Sequence, residues 1–266
     1  MRKKRQPKTL RPIIPNAGII EAYAAEIQRA IDKMITSYSY WLVAEYRKNP
    51  PQIAQDDKSH FDVFAKRIAD IGLSWIEKFE QWAPRIAKAY TERNFNYTNS
   101  AFNRALRESG WEIDLQWSPA MRQAFDVALT TNVALIKSIP VQFHQKVELA
   151  VARSFNKGMD VGGLQKELEK IYPNGRAKLI AKDQSFKANA VVTRTRAMDL
   201  GITEALWKHS PSSKEPRQDH KEAHNKRYKL SEGCKISGEF IHPGELINCG
   251  CISRIILPEL GDANSA

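Results

Sequence analysis

Residues 209–251 hold most of the side chains that could perform chemistry in this chain. Four of the six histidines and all three cysteines lie there: His209, His220, His224, His242, Cys234, Cys249 and Cys251. Imidazole nitrogens and thiolates are the ligand types that zinc prefers in proteins. Their concentration near the C-terminus indicates a metal site or a buried structural cluster.

The spacing of these residues predicts one particular ligand set. His220 and His224 are four residues apart, which on a helix places both imidazoles on one face. Cys249 and Cys251 have one residue between them, which places two thiols on the same side of an extended segment. Together they form a predicted two-His, two-Cys zinc set. The substitute ligands are Cys234 and His242.

A second interpretation of the same residues needs no metal. The Cys-x-Cys spacing differs from the Cys-x-x-Cys spacing that is usual in zinc knuckles. Without a metal, Arg217 and His220 would hydrogen-bond to the Pro243–Asn248 turn, while the cysteines pack beneath it as small buried hydrophobes. This arrangement, a hydrogen-bonded latch, stays open beside the zinc set.

Enzymatic interpretations find less support in the residues. A metal-dependent nuclease would use His220, His224 and Asn225, but the carboxylate cluster that Mg²⁺ chemistry needs is not evident in the sequence. A nucleophilic Cys249 or Cys251 lacks a recognisable oxyanion hole or orienting third group. The residues therefore predict no enzyme, with the nuclease kept as the alternative.

Apolar residues recur every three or four positions through most of the chain, which predicts long helices. Pro84 and Pro140 are predicted to interrupt two of them. Ser118 followed by proline predicts a helix start, and Gly201 predicts the end of the helix that begins at Arg176. After that glycine, residues 205–207 and 252–257 are predicted strands. The expected fold is α+β and predominantly α-helical, with a long-helix N-terminal region and a small mixed α/β C-terminal module.

The formal charge of +11 on 266 residues is concentrated at the N-terminus. Six basic residues and no acidic one occur among the first eleven: Arg2, Lys3, Lys4, Arg5, Lys8 and Arg11. The other 255 residues carry only the remaining five charges, so a basic globular face is not required. Such a tail is expected to contact a phosphate backbone or an acidic protein surface.

Composition excludes several classes of protein. Hydrophobic residues at 42% and charged residues at 27% are typical of a globular chain. No apolar run approaches the roughly 18 residues of a membrane-spanning helix, so no integral membrane protein is expected. The charged start is not followed by an apolar stretch, so no secretory signal is expected. Three late cysteines make no disulfide framework, which favours a cytosolic origin.

An ordered set of residues resembles the Mu F-like head-morphogenesis family of tailed bacteriophages. The similarity covers about residues 133–257 and includes the segment from Leu135 to Pro140. Its motif positions are Asp183, Gln184, Lys187, Gly201, Trp207, Arg217, His220, Pro243, Gly244, Cys249 and Cys251. The chain departs from the family pattern at two places. Gly250 stands where an arginine is usual between the terminal cysteines, and His224-Asn225 stands where Asp-Gly or His-Gly is frequent.

The resemblance implies a minor head protein rather than an enzyme. Members of the family are incorporated in few copies, associate with the portal protein inside the procapsid, and act in head assembly and genome delivery. The implied partners are the portal, the major capsid or scaffold proteins and, through the basic tail, packaged DNA. The implied location is the head interior or portal vertex, with the host cytoplasm during assembly and no membrane in the mature head.

Three regions follow from the periodicity and the resemblance together. Residues 1–16 are a predicted flexible basic tail, residues 17–118 a predicted helical region that docks on the portal or capsid, and residues 119–266 the predicted Mu F-like domain. Zinc is the expected cofactor if the C-terminal cluster holds a metal.

Overall fold

The computed structural model describes residues 7–48, 58–113, 115–156, 161–171, 175–210 and 217–258. The chain forms two compact units, each assembled from separate stretches of sequence. We call them the sheet unit (Met1–Glu21, Tyr90–Leu129 and Leu179–Ala266) and the helix unit (Ala22–Ala89 and Thr130–Lys178).

Helices make up most of the described chain. They are α1 (Ala17–Lys48), α2 (Lys58–Glu108), α3 (Pro119–Asn156), α4 (Val161–Ile171), α5 (Arg176–Asp199) and the short α6 (Gln218–Glu222). The predicted start of α3 is confirmed, because the Ser118 hydroxyl accepts a hydrogen bond from the Met121 N–H at 3.1 Å and caps the first turn. The predicted end of α5 is confirmed by Gly201, whose φ of 70° terminates the helix.

The predicted interruptions at Pro84 and Pro140 are wrong. Both prolines lie inside continuous helices, α2 and α3. A proline inside a helix costs about 3 kcal/mol, since it removes one hydrogen bond and clashes with the preceding turn. Buried neighbours offset this cost: Ala83 and Ala87 beside Pro84 are fully buried, as is Phe143 just after Pro140. Packing therefore overrides the local preference for a break.

Five short strands lie in the described part of the sheet unit. They are β1 (Glu204–Lys208), β2 (Arg227–Lys229), β3 (Cys234–Ile236), β4 (Glu239–Ile241) and β5 (Ile252–Ile255). Strands β2, β1 and β5 form an antiparallel sheet in that order, while β3 and β4 form a separate hairpin. The strands predicted at residues 205–207 and 252–257 are confirmed as β1 and β5. The predicted α+β, predominantly helical fold class is confirmed as well.

Residues 8–13 form part of the core of the sheet unit. Thr9 bridges to Ile256, and the Leu10 N–H donates to the Ile255 carbonyl at 2.9 Å. Leu10 and Ile13 are buried in the same apolar cluster as Trp207. The predicted flexible tail over residues 1–16 is therefore wrong for residues 8–13, because their apolar side chains pair this segment with the edge of β5.

The two units also divide the chain differently from the predicted boundaries at residues 16 and 118. Helices α2 and α3 each contribute residues to both units. The helix unit therefore begins inside the predicted docking region and ends inside the predicted Mu F-like domain. The extent of that domain as a functional region stays a prediction.

A polar pair lies in the interior of the helix unit. The Tyr38 side chain is fully buried, and its hydroxyl lies 3.0 Å from Nδ1 of His144. His144 packs directly over Gly72 of α2: a Cβ atom at that glycine would lie 2.5 Å from the same Nδ1. Gly72 thus provides the space that the imidazole needs to reach Tyr38.

One stretch of α3, Pro119–Phe155, is long and apolar enough to cross a membrane by length and composition alone. This stretch qualifies by the mean hydropathy of an 18-residue window, which is 1.3, whereas the sequence prediction considered apolar runs. Buried core helices pass the same test, but only 22% of this window is buried, although α3 does contribute buried Ile136, Phe143 and Val147.

Candidate metal centre

Three buried side chains meet beside the three-stranded sheet. His220, Cys249 and Cys251 present ligand atoms that all lie within 4.8 Å of one another. Nδ1 of His220 is 3.5 Å from Sγ of Cys249 and 3.7 Å from Sγ of Cys251. The donor set of one imidazole and two thiols can hold a metal ion.

The backbone of the sheet unit brings these side chains together. His220 lies in α6, which folds back along β1: the Asn225 N–H donates to the Trp207 carbonyl, and the Trp207 N–H donates to the Lys226 carbonyl. Cys249 and Cys251 immediately precede β5. The fully buried Trp207 ring packs edge-on against the His220 ring with 5.1 Å between centroids. An apolar wall therefore covers one side of the cluster.

The structure adds one residue that the predicted zinc set did not include. Nδ1 of His209 lies 3.7 Å from Sγ of Cys251. His209 follows the last residue of β1, and the antiparallel register pairs Lys208 with Ile252, so the next pair along the ladder is His209 and Cys251. The signal in the sequence was the two predicted strands, but their register was not evident from spacing.

His224, the second predicted histidine ligand, points elsewhere. Helix α6 ends at Glu222, and Asn225 adopts a left-handed φ of 67°, so His220 and His224 do not share a helix face. Nδ1 of His224 instead accepts a hydrogen bond from the His209 N–H at 3.3 Å. The assumed helical spacing between the two histidines is therefore wrong.

The predicted substitute ligands, Cys234 and His242, lie outside the cluster. Cys234 belongs to the apolar core, where burial raises the pKa of its thiol. His242 lies beside the Tyr228 ring, and burial followed by the charge of Arg194 lowers the pKa of its imidazole to about 4. Both residues pack in the sheet unit without joining the three ligand atoms.

The two cluster thiols share one proton. A hydrogen bond from the Cys251 thiol lowers the pKa of Cys249 to about 5, and the same interaction raises the pKa of Cys251. Burial lowers the pKa of His209, and the neighbouring His224 lowers it further. Cys249 is thus the thiolate of the pair and His209 is neutral at pH 7, which are the forms that bind a metal.

Several other family-motif positions hold the loop that carries the cysteines. The Asp183 carboxylate accepts a hydrogen bond from the Asn248 N–H at 2.7 Å and pairs with Lys187 at 2.9 Å. The Arg217 guanidinium donates to the Ile247 carbonyl at 3.1 Å. This last contact is the one predicted for the latch, whereas His220 contacts the cysteines rather than the turn.

Pro243 and Gly244 fit closely against α5. Gly244 has a φ of 82°, and a Cβ atom there would lie 2.9 Å from the Phe186 carbonyl oxygen. Pro243 is buried beside it. Gln184, also buried, donates to Asp183 at 3.1 Å. The motif positions therefore connect α5, α6 and the loop before β5.

The predicted anion-binding residues at the N-terminus have different outcomes. Arg2, Lys3, Lys4 and Arg5 lie outside the described residues. Lys8 donates to the Ser109 carbonyl at 3.1 Å, and Arg11 pairs with Glu108 at 3.1 Å. Arg11 therefore has an acidic partner that the sequence did not reveal.

The fold and the site together define the class of this protein. It is a mostly helical chain with a small antiparallel β module in which histidine and cysteine side chains cluster. Residues 145–254 match the sequence profile of the family described as Phage Mu protein F like protein. This match confirms the resemblance of residues 145–254 to the Mu F-like phage head-morphogenesis family.

A similar protein among the curated proteins extends the similarity along the chain, but its name states no function. An uncharacterized protein of Haemophilus influenzae is 29% identical over 214 residues, which are 76% of this chain and 46% of the relative. The chain thus spans about half the length of that relative. No solved structure matches the chain.

Proposed function

We propose that this protein is a minor head protein of a tailed bacteriophage that associates with the portal vertex inside the procapsid and acts in head assembly and in genome packaging and delivery. The observation that carries the proposal is the family match over residues 145–254. The protein would occupy the head interior or portal vertex in the virion and the host cytoplasm during assembly. Co-purification with the portal ring of the same phage is the decisive test.

We propose further that the protein is not an enzyme. The nuclease alternative requires His220 and His224 to share a metal, and the hydrogen bond from the His209 N–H to Nδ1 of His224 argues against that arrangement. Incubation of the purified protein with plasmid DNA and Mg²⁺ or Mn²⁺ tests this directly. Cleavage that disappears in His220→Ala and in His224→Ala would support the nuclease and contradict the proposal.

Docking on the portal or capsid is proposed for the helix unit, where a groove of about 570 Å³ lies between α1 and α2. Half-buried Trp75 and Trp82 line it, together with four basic residues and one acidic residue. Trp and Arg are the residues most often responsible for binding energy at protein interfaces. The groove therefore suits a partner with apolar anchors and acidic side chains.

Surface substitutions test this docking better than truncation. Deletion of residues 1–110 would also remove Phe95 and Phe102, which are fully buried in the sheet unit. We expect Trp75→Ala with Trp82→Ala to reduce portal co-purification at least tenfold while the protein stays folded. The matched control is Tyr40→Ala on α1, a residue that is 65% exposed and does not line the groove. Unchanged portal binding in the double variant would contradict this docking surface.

DNA contact is proposed for the first four basic residues, Arg2, Lys3, Lys4 and Arg5. Four charges predict weak, sequence-independent binding whose log–log salt slope is no steeper than about −3.6 on duplex DNA. Replacing these four with Gln is expected to abolish the binding, whereas Lys8→Gln with Arg11→Gln is expected to change it little, because both residues already have partners. Unchanged affinity in the fourfold variant would place DNA binding elsewhere.

Zinc is the metal that we propose for the cluster of His220, Cys249 and Cys251. Thiolate and imidazole donors together favour zinc over Mg²⁺ or Ca²⁺, which bind oxygen ligands. The zinc would stabilise the module that the family match covers rather than take part in catalysis. Elemental analysis of protein purified under reducing conditions, with about one zinc per chain expected, is the test.

A further inference from the structure

We propose that His209, and not His224, completes a closed four-ligand site with His220, Cys249 and Cys251. The inference rests on the zinc proposed above and specifies how the chain holds it. Three cluster residues satisfy only three of the four positions of a structural zinc site. Among the residues that the structure describes, His209 is a further side chain whose ring nitrogen approaches a cluster thiol.

The distances between ligand atoms agree with tetrahedral zinc. With a Zn–S bond of about 2.3 Å and a Zn–N bond of about 2.0–2.1 Å, a tetrahedron separates sulfur from nitrogen by about 3.5–3.6 Å. The three measured S···N distances are 3.5 Å (Cys249 to His220), 3.7 Å (Cys251 to His220) and 3.7 Å (Cys251 to His209). The three distances therefore fit tetrahedral zinc, but the His209 ring must also move toward the ion, because the group of ligand atoms within 4.8 Å of one another contains His220, Cys249 and Cys251 and not His209.

Nδ1 of each histidine faces the thiols, which gives the two rings the same ligating atom. Nδ1 of His209 approaches Cys251, and Nδ1 of His220 approaches both cysteines. His220 is 3% exposed, and its Nε2 has no hydrogen-bond partner in the part of the chain that the structure describes. Thiols are weak hydrogen-bonding groups, so a bond from Nδ1 to a metal would stabilise this buried ring far better than they do.

His224 has a different role in this arrangement. Its Nδ1 accepts the hydrogen bond of the His209 backbone N–H, and its Nε2 lies 3.5 Å from Nζ of Lys208, so both ring nitrogens already have other neighbours. His224 is therefore a positioning residue that holds the chain at the end of β1, where the His209 ring turns toward Cys251. Outer-shell contacts of this kind orient ligands and alter affinity modestly.

Four protein ligands leave no open position for water or substrate. A zinc site of this kind stabilises the fold and does not activate a water molecule. It would fasten the end of β1, helix α6 and the start of β5, elements that are brought together over a span of 42 residues from His209 to Cys251. Binding free energy at such a site also stabilises the folded state.

The test compares His209→Ala with the matched control His224→Ala in the full-length protein, using Zn²⁺ competition with a chromogenic chelator and Co²⁺ substitution. We expect tetrahedral Co²⁺ absorption in wild type and a loss of at least about 100-fold in Zn²⁺ affinity in His209→Ala. His224→Ala is expected to lose at most about tenfold. His209→Cys, which restores a ligand of another type, is expected to recover Zn²⁺ binding and the tetrahedral spectrum.

The outcomes separate this inference from the zinc proposal beneath it. Tight Zn²⁺ binding that survives His209→Ala but not His224→Ala would overturn the role of His209 and leave the zinc proposal intact. Absence of Zn²⁺ and Co²⁺ binding in reduced wild type, or a Cys249–Cys251 disulfide under the same conditions, would overturn both. Circular dichroism of His209→Ala and His209→Cys checks that each variant is folded.

Discussion

His209 and Cys251 face one another across the antiparallel β1–β5 pair, one residue beyond the pairing of Lys208 with Ile252, with 3.7 Å between Nδ1 and Sγ. The residues are far apart in sequence, so strand register brings them together. A change that shifts β5 relative to β1 by one residue would turn Cys251 to the other face of the sheet. The integrity of the cluster therefore depends on the loop that leads into β5.

The first prediction concerns Gly244 in that loop. Gly244→Ala places a Cβ atom 2.9 Å from the Phe186 carbonyl oxygen in addition to the strain of a φ of 82°. Gly238→Ala is the matched control, because its φ of 92° brings strain but no atom lies within 4 Å of the added Cβ. We expect the control to lower the free energy of unfolding by about 1–2 kcal/mol, and Gly244→Ala to lower it by at least about 1 kcal/mol more.

Urea denaturation of both variants measures the difference. Equal losses would show that the loop does not pack against α5 as described, because only the contact with Phe186 distinguishes the two sites. A larger loss in Gly244→Ala would also be accompanied by weaker Zn²⁺ binding, since the loop carries Cys249.

The second prediction concerns the N-terminal segment. Leu10 is fully buried in the sheet unit, whereas Ile14, four residues later, is 60% exposed. Leu10→Ala is expected to lower the free energy of unfolding by about 2–5 kcal/mol through the cavity it creates. Ile14→Ala is expected to change it by less than about 0.5 kcal/mol. Thermal and urea unfolding of the two variants measure these changes. An unchanged free energy of unfolding in Leu10→Ala would contradict the packing of this segment and support the predicted flexible tail.

Hydrophobic periodicity was sufficient to predict the helices and the fold class. The strands at β1 and β5 were also predictable, since helical periodicity ends at Gly201. The continuity of α2 through Pro84 was not predictable from the sequence. Tertiary packing of Ala83 and Ala87 outweighs the local preference of proline to break a helix, and the sequence shows only that local preference. Local signals identify elements, whereas their continuity depends on what they pack against.

The sequence predicted the types of side chain in the candidate metal centre, but it did not predict all of the residues that form it. His220, Cys249 and Cys251 were expected together, yet the spacing of His220 and His224 was misleading, because α6 ends two residues before His224. The position of His209 beside Cys251 depends on the register of β1 and β5. That register follows from long-range strand pairing, which sequence spacing does not reveal. In the same way, the sequence showed no acidic residue near Arg11, whereas in the fold Arg11 forms an ion pair with Glu108.

The third prediction concerns Gly72 in the helix unit. Replacing a mid-helix glycine with alanine normally stabilises a helix by about 1 kcal/mol. Here the added Cβ would lie 2.5 Å from Nδ1 of His144, which hydrogen-bonds to Tyr38. Gly72→Ala is therefore expected to lower the free energy of unfolding by about 1–3 kcal/mol.

In a His144→Ala background, the same substitution is expected to change the free energy of unfolding in the opposite direction. Without the imidazole the added methyl group has space, so Gly72→Ala should stabilise that background by up to about 1 kcal/mol. A double-mutant cycle by chemical denaturation measures the coupling. Destabilisation of equal size in both backgrounds would mean that His144 is not the obstacle.

The fourth prediction concerns the pH dependence of stability through His242. Burial, followed by the charge of Arg194, lowers the pKa of this imidazole to about 4, against the opposing charge of Glu245. The unfolded chain, with a histidine pKa of about 6.5, binds the proton more readily than the folded chain. Protonation therefore favours unfolding, and the stabilisation present above pH 6.5 is lost as the pH falls toward 4.

His242→Gln removes this proton linkage while the other titrating groups stay the same. Between pH 6.5 and 4, the free energy of unfolding of wild type is expected to fall more steeply than that of the variant, by at most about 1.4 kcal/mol per pH unit. Above pH 7 the two curves should run parallel, because neither form of the chain then protonates this site. Urea titrations at half-unit pH intervals measure both curves on metal-loaded protein. Parallel curves over the whole range would show that His242 titrates normally in the folded state.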